Sequence, residues 1–477
     1  MIAVLKFAYL RKLNYICTDK TIANATVLSV GYEYRLIMVI ERKHYLDQLV
    51  AKQWNGKVKI ITGLRRSGKS FLLSTLFKRQ LIETGVSLDD FIEIALDRQS
   101  DIKFRNPNLL YDHIMQLTQD TTRKFYIFID EIQLSYKIKN EDVDENLVPE
   151  VDRDMLYTTF YDILNDLLSH PNLDIYVTGS NSKMLSKDIV TNFRDRGSEI
   201  KVYPLSFSEF ITVSDKDKSD AFEEYLMYGG MPLAVLESNE TEKRKYLQGL
   251  FSNVYIKDIV ERYKLKDDSI LSPLVDALSS AIGSLTNSNR LANTAGSASG
   301  KIPSHNTVKN YLQYLEDSYL FQSAKRWDVK GRKYFDTIQK YYAMDLGLRN
   351  ARLNFHQQER SHLMENLIYN ELILRGYSVD VGIVEVNRLI DGKRKSSQYE
   401  IDFVVNLGNN KVYIQSALHV DTPEKKAQET FSLRNTGDFF KKIVVLDGNS
   451  KLWTDEDGVS YIGVIPFLLK DMLSDLS

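Results

Sequence analysis

Only one cysteine, Cys17, occurs in 477 residues, which excludes an intramolecular disulfide framework and a cysteine-based zinc site. The seven histidines are scattered without H-E-x-x-H or a comparable ligand spacing, so no histidine metal site is readable either. Excess charge of one sign is missing as well. Lys and Arg number 62 against 64 Asp and Glu, a net charge of -2, so there is no global footprint for nucleic acid or an anionic membrane. No apolar run approaches the roughly 20 residues of a membrane span. The first residues do not read as a secretory signal, because the basic pair Arg11 and Lys12 follows the apolar residues 2–5 instead of preceding them. Residues 1–37 read as an unpatterned, unstructured or non-native extension, with Met38-Val-Ile-Glu-Arg-Lys as the natural beginning. The expected location is the cytoplasm.

From there the chain alternates short β-rich runs with longer amphipathic stretches, the pattern of an α/β domain with a mostly parallel sheet. Strands are expected at 58–62, 91–96, 125–130, 174–178 and 199–203, all rich in Val, Ile, Phe and Tyr and free of Pro. Helices are expected at 69–83 and 155–169. Between them the acidic run 140–154 reads as a solvated insertion. Past Pro204 the pattern turns helical, at 208–213, 219–228 and 240–263, then at 271–285, 289–298 and 304–321. From about Tyr341 it returns to mixed α/β, with a helix at 361–375 and strands near 378–386, 399–405, 411–419, 442–446 and 459–464.

Two constellations carry chemistry. Gly63-Leu64-Arg65-Arg66-Ser67-Gly68-Lys69-Ser70 fits G-x-x-x-x-G-K-[ST] at every defined position, with a hydrophobic strand before it and an apolar-periodic helix after it. Such a loop wraps successive backbone N–H groups around phosphate at a helix N-terminus. Lys69 is expected to reach the β- and γ-phosphates of ATP, and the Ser70 hydroxyl to join the Mg²⁺ shell. About 60 residues on, five apolar residues end in Asp130 and Glu131, at the strand end where ligands of open α/β sheets bind. Asp130 is placed to hold Mg²⁺ and Glu131 to orient and deprotonate the attacking water. A third strand ends in Thr178-Gly179-Ser180-Asn181. In P-loop proteins with a catalytic Glu, the strand between the other two carries a polar residue that senses the γ-phosphate; Ser180 or Asn181 fits, and so does a plain Gly-Ser turn. Before the fifth strand, Arg194 or, by preference, Arg196 is expected to stabilise phosphoryl charge, within the subunit or across to a neighbour.

With these residues in view the chain resembles the prokaryotic AAA-type ATPases that carry a C-terminal domain of unknown function, DUF4143. The resemblance rests on Ile61-Thr-Gly-Leu-Arg-Arg-Ser-Gly-Lys-Ser, Ile129-Asp-Glu-Ile-Gln and Val177-Thr-Gly-Ser-Asn-Ser. It continues through Pro204-Leu-Ser-Phe-Ser-Glu-Phe, Tyr228-Gly-Gly-Met-Pro, Lys257-Asp-Ile-Val-Glu-Arg-Tyr and Tyr341-Tyr-Ala-Met-Asp-Leu-Gly-Leu-Arg-Asn. It covers nearly everything from Met38 onward and implies ATP binding and ATPase activity. One departure stands out: the family's Thr-x-Leu-x-Gly-Arg reads Thr191-Asn-Phe-Arg-Asp-Arg here, keeping Arg196 and losing the glycine.

The expected organisation is a P-loop ATPase domain over 38–212, a helical lid or connector over 213–287, a winged helix-turn-helix over 288–340 and a degenerate nuclease-like domain over 341–477. In the winged module Ser304, His305, Asn306 and Lys309 open the second helix, where base edges are read, and Lys325, Arg326, Lys330, Arg332 and Lys333 form a basic wing for DNA phosphates. Protein packing is the competing use. The last domain resembles a P-D-(D/E)-x-K nuclease with Glu365 and Asp402 present. Its E-x-K strand reads Gln415-Ser416-Ala417, which lacks the charges a hydrolytic metal needs. The functional expectation is an ATP-driven switch for the appended domains, with a homo-oligomer as a further expectation. The alternative is a nucleotide-dependent DNA-binding or scaffolding protein with little turnover.

Overall fold

The computed structural model describes residues 25–30, 33–141, 143–180, 196–265, 269–300, 302–356, 359–390 and 393–474. Within the extension expected to be unstructured, β1 (Ala25–Val30) and β2 (Glu33–Met38) pair antiparallel as a hairpin. Helix α1 (Lys43–Ala51) then leads to β3 (Val58–Gly63), and a continuous helical stretch, α2 (69–83), follows the glycine loop. After these come β4 (Phe91–Ala95), α3 (Pro107–Leu117) and β5 (Phe125–Asp130). The acidic insertion is closed by a two-residue ladder, β6 (Ile138–Lys139) against β7 (Tyr157–Thr158). Helix α4 (Phe160–Leu167) starts later than its apolar pattern suggests, because Thr159 and Asp162 form a capping box that fixes the first turn. Strands β8 (Leu173–Thr178) and β9 (Gly197–Val202) complete the domain.

The five long strands are parallel in the order β4-β5-β8-β3-β9. Their residues alternate between two cores, as a sheet covered on both faces requires. Ile127 and Ile129 join Ile114 of α3 and Leu164 of α4. Tyr126 and Phe128 join Leu73 and Phe77 of α2. Because β8 lies between β3 and β5, the glycine loop, the Asp130-Glu131 pair and the Thr178 end of β8 emerge side by side.

The opposite ends of β3 and β8 are held by buried charge. Asp174 pairs with the Lys59 ammonium, and its other oxygen accepts from the Tyr176 hydroxyl at 2.7 Å and the Trp54 amide at 3.2 Å. Burial lowers the Lys59 pKa while Asp174 raises it. Asp174→Ala leaves that ammonium buried and unpaired, so a loss of about 3–5 kcal/mol is expected, read as a lower urea midpoint.

The second half begins with a four-residue turn of helix, Phe207–Phe210, and α5 (Lys218–Tyr228), followed by a helical stretch α6 (240–262). Next are α7 (Leu271–Ser280), α8 (Ser288–Ser299), α9 (His305–Asp317), β10 (Phe321–Asp328), β11 (Lys333–Ala343) and α10 (Leu346–Arg352). The last third is α11 (Arg360–Leu374), β12 (Ser378–Ile390), β13 (Lys393–Leu407), β14 (Asn410–Ala417), α12 (Pro423–Arg434), β15 (Lys441–Leu446), β16 (Trp453–Thr454), β17 (Val459–Gly463) and α13 (Val464–Leu469).

The boundary expected at 340/341 falls inside β11. Strand β10 pairs antiparallel with β11 on one side and parallel with β12 on the other, so both belong to one eight-stranded sheet, β11-β10-β12-β13-β14-β15-β17-β16. The expected basic wing is therefore partly enclosed. The Lys330 ammonium donates to the Glu385 carbonyl at 3.0 Å, and Arg326 is only 9% exposed, with its guanidinium 3.4 Å from the Gln398 side-chain oxygen. One apolar core runs from Leu64 beside the glycine loop through α5–α9 to Leu473. No helix among the described residues is long and apolar enough to cross a membrane.

Candidate functional site

The glycine loop has the shape its residues dictate. Gly63 ends β3 at φ +132, and a Cβ there would lie 2.0 Å from the Val202 carbonyl oxygen of β9, so only glycine fits. Gly68, at φ +95, turns the chain into α2. Between them Leu64 and Ser67 are buried, while Arg65 and Arg66 are exposed, Arg66 at φ +65. The Lys69 side chain folds back over the loop, donating to the carbonyls of Gly63 at 3.1 Å and Leu64 at 3.0 Å.

Three strand ends meet at Asp130. Its Oδ1 accepts from the Ser70 hydroxyl at 2.9 Å and from the Thr178 hydroxyl. Thr178 Oγ1 in turn accepts the Glu131 backbone N–H at 3.1 Å. Glu131 sits at φ +54, and its carboxylate accepts from the Gln133 amide, which also reaches Ser180 Oγ at 3.4 Å. Thr178 and Gln133 were not singled out from the sequence. Thr178 closes a buried strand and reads as core; Gln133 was visible only as part of Ile129-Asp-Glu-Ile-Gln.

Asn181 and Arg194 lie outside the described residues. Arg196 is described, and it is not at this site. It is exposed beside Val58, at the start of β3, whereas the glycine loop leaves the other end. Five strand steps, about 17 Å, separate the two edges. A role for Arg196 within its own subunit does not fit this placement.

A cavity of about 380 Å³ opens beside the loop, lined by residues 66–71, Glu131, Ile40, Arg42, Leu205, Pro232, Leu233 and Leu236. Its floor is complementary to phosphate in chemistry and its far wall apolar. Leu233 and Leu236, 51% and 41% exposed, and Phe71, 37% exposed, present large apolar side chains to this space. Arg42 forms a rim. Its guanidinium donates to the Ser67 carbonyl at 3.1 Å and the Tyr203 carbonyl at 2.9 Å, and pairs with Glu209 at 2.7 Å. None of these rim residues could be assigned from spacing, since they arrive from three distant segments.

Desolvation is the main influence on Lys69 and lowers its ammonium to about 8, against the pull of Glu131 and Asp130. Bound phosphate would return it to the ordinary lysine range, so binding takes up a proton above pH 8. The complex then holds more protons than the empty site, and affinity falls as pH rises. Calorimetry at fixed salt should find Mg-ATP affinity level below pH 8 and falling by up to about tenfold per unit above it.

The AAA domain family matches residues 55–211. An uncharacterized protein of Haemophilus influenzae is 31% identical over 438 residues, covering 91% of this chain and 99% of its own length. The chain belongs to one family with that protein and carries an AAA domain. A second relative, an uncharacterized protein of Methanocaldococcus jannaschii, is 28% identical over 432 residues, covering 86% of this chain and 87% of its own. Among solved structures, the Aeropyrum pernix ORC2 protein in its ADP form aligns with 73% of this chain and 99% of its own, at 11% identity and a TM-score of 0.33. Where the resemblance implied DUF4143, the family that matches is a different domain of unknown function, DUF8612, over residues 219–359. That span takes in nearly all of α5 and runs on to the residue before α11.

Proposed function

We propose that this ATPase hydrolyses Mg-ATP at the glycine loop and uses the nucleotide to switch the modules that follow. The observation that carries the reading is the shared oxygen of Asp130, which joins the Ser70 hydroxyl of the loop to the Thr178 hydroxyl of β8. A hydroxyl and a carboxylate at that spacing are the hard oxygen donors that Mg²⁺ takes beside nucleotide phosphates. In this reading the loop amides from Gly63 to Ser70 and the Lys69 ammonium hold the phosphates. Ser70 and Asp130 hold the cation, and Glu131 takes a proton from water. Ser180, or Asn181 outside the described residues, senses the γ-phosphate, and the wall of Pro232, Leu233 and Leu236 covers the base. Arg196 serves the site of an adjoining copy in a homo-oligomer.

The link to the other modules is direct contact. The Tyr255 hydroxyl of α6 donates to the Arg65 carbonyl at 2.6 Å, and the Arg65 guanidinium pairs with Asp258 at 3.0 Å. Gly230, two residues before Pro232, donates its N–H to Asp345 at 2.7 Å; Asp345 also accepts from Leu348 at 2.8 Å and caps α10. The nucleotide wall and the loop crest are thus tied to α6 and to the start of the C-terminal third. A change of the loop on filling moves both.

For the appended modules, the order α7, the Thr286–Gln339 bridge, α8, α9, β10, β11 supports the winged-helix reading. The order α11-β12-β13-β14-α12-β15 supports the nuclease-like reading. Phosphate release by the purified protein, with Mg²⁺, with and without duplex DNA, tests the proposal alongside a mass measurement in solution. Mg²⁺-dependent release is expected. Tight ATP binding without turnover would replace it with the scaffolding alternative, and DNA-stimulated release would identify the winged module's partner.

A further inference from the structure

A second cluster of buried charge lies far along the chain from the nucleotide cavity. Lys340 of β11 is 3% exposed, and its ammonium meets three carboxylates: Glu365 of α11 at 2.8 Å, Glu400 of β13 at 2.6 Å and Asp402 of β13 at 3.4 Å. The Tyr342 hydroxyl donates to the same Glu365 oxygen at 2.7 Å, and the Ser416 amide to the far oxygen of Asp402 at 2.8 Å. Three acidic oxygens from two elements therefore converge on one point, and two of the three carboxylates are held by other donors as well.

Convergent carboxylates with fixed orientation are what a hard divalent cation needs; it would draw the same oxygens to roughly 2.0–2.6 Å. Here the point of convergence is filled by a side chain. One side of the cluster is covered as well. Gly283, in the turn after α7, lies so near that a Cβ on it would be 3.3 Å from the Glu365 carboxyl, and its amide is fixed to the Tyr341 carbonyl at 3.0 Å. One ammonium among three carboxylates leaves the cluster acidic, and burial raises the Glu365 pKa while Lys340 opposes that rise.

We infer that Lys340 is a built-in counter-ion standing where a divalent cation would sit, so that this cluster holds no metal in the natural chain and becomes a divalent-cation site when the ammonium is removed. The ammonium also ties α11 to β11 and β13, the task a structural ion performs elsewhere. It cannot lower the pKa of a bound water, so metal-assisted hydrolysis is absent from this cluster.

Terbium luminescence on the full-length protein tests this, with the Tyr342 phenol as a sensitiser already hydrogen-bonded to one ligand. Emission from Ser70 and Asp130 is common to all variants and cancels against wild type. Lys340→Met is expected to gain saturable emission, binding Tb³⁺ at least about tenfold more tightly than wild type. Glu365→Gln in the same background should abolish the gain, and Lys340→Arg, which keeps the charge, should show none. If Lys340→Met folds poorly, its thermal midpoint should recover in millimolar Ca²⁺ and not in Na⁺ of equal ionic strength. A folded Lys340→Met protein without saturable emission overturns the inference. So does a wild-type signal removed by Glu365→Gln, or Mg²⁺-dependent DNA cleavage by wild type that Lys340→Met abolishes.

Discussion

Lys69→Ala is expected to lose nucleotide binding while the protein stays folded. The ammonium is 5% exposed and lies over the loop, held by the Gly63 and Leu64 carbonyls until phosphate replaces them. Removing one partner of a desolvated charge pair costs about 2–5 kcal/mol, so affinity should fall at least about 30-fold. The site lies at a loop, away from the two sheet cores that hold the domain together, so the midpoint without nucleotide should stay near wild type. The cleanest readout is thermal: Mg-ATP should raise the wild-type midpoint by mass action and leave the variant where it was. An unchanged ATP-induced shift in Lys69→Ala would remove the loop from the mechanism.

Glu131→Gln should behave in the opposite way, keeping ATP and losing turnover. The substitution preserves shape, and Gln133 can still donate to an amide oxygen at position 131. What it removes is the base. General-base catalysis contributes about 10²–10⁴-fold, so phosphate release should drop by that factor with little change in affinity. Protein purified after incubation with Mg-ATP should carry unhydrolysed nucleotide. Release at the wild-type rate would mean that another group takes the proton, and Gln133, a neutral amide, could not be that group.

The five parallel strands were legible because each strand alternates side chains between two apolar faces, and the glycine loop because its spacing is imposed by phosphate. Strand ends were less legible. Thr178 is a small hydroxyl after Tyr176 and Val177, and nothing in a one-dimensional pattern separates a buried threonine from one aimed at Asp130. The cavity wall was out of reach for a different reason: Ile40, Arg42, Leu205 and Leu236 become neighbours only when α1, β9 and α5 pack around the loop. Strand direction bears on Arg196 as well. In a parallel sheet the residue before a strand lies at the edge away from the phosphates, so an arginine there faces outward from its own site. The boundary at 340 failed because β10 has two partners, and pairing across modules leaves no mark in composition.

That double pairing has a mechanical consequence. With β10 hydrogen-bonded on both sides, the strands of the expected wing and those of the expected tail share one sheet. On the proposed switch, a displacement passed from Pro232 to Asp345 would meet no break in the sheet at residue 340 and would be carried across it toward the small edge strand at Trp453.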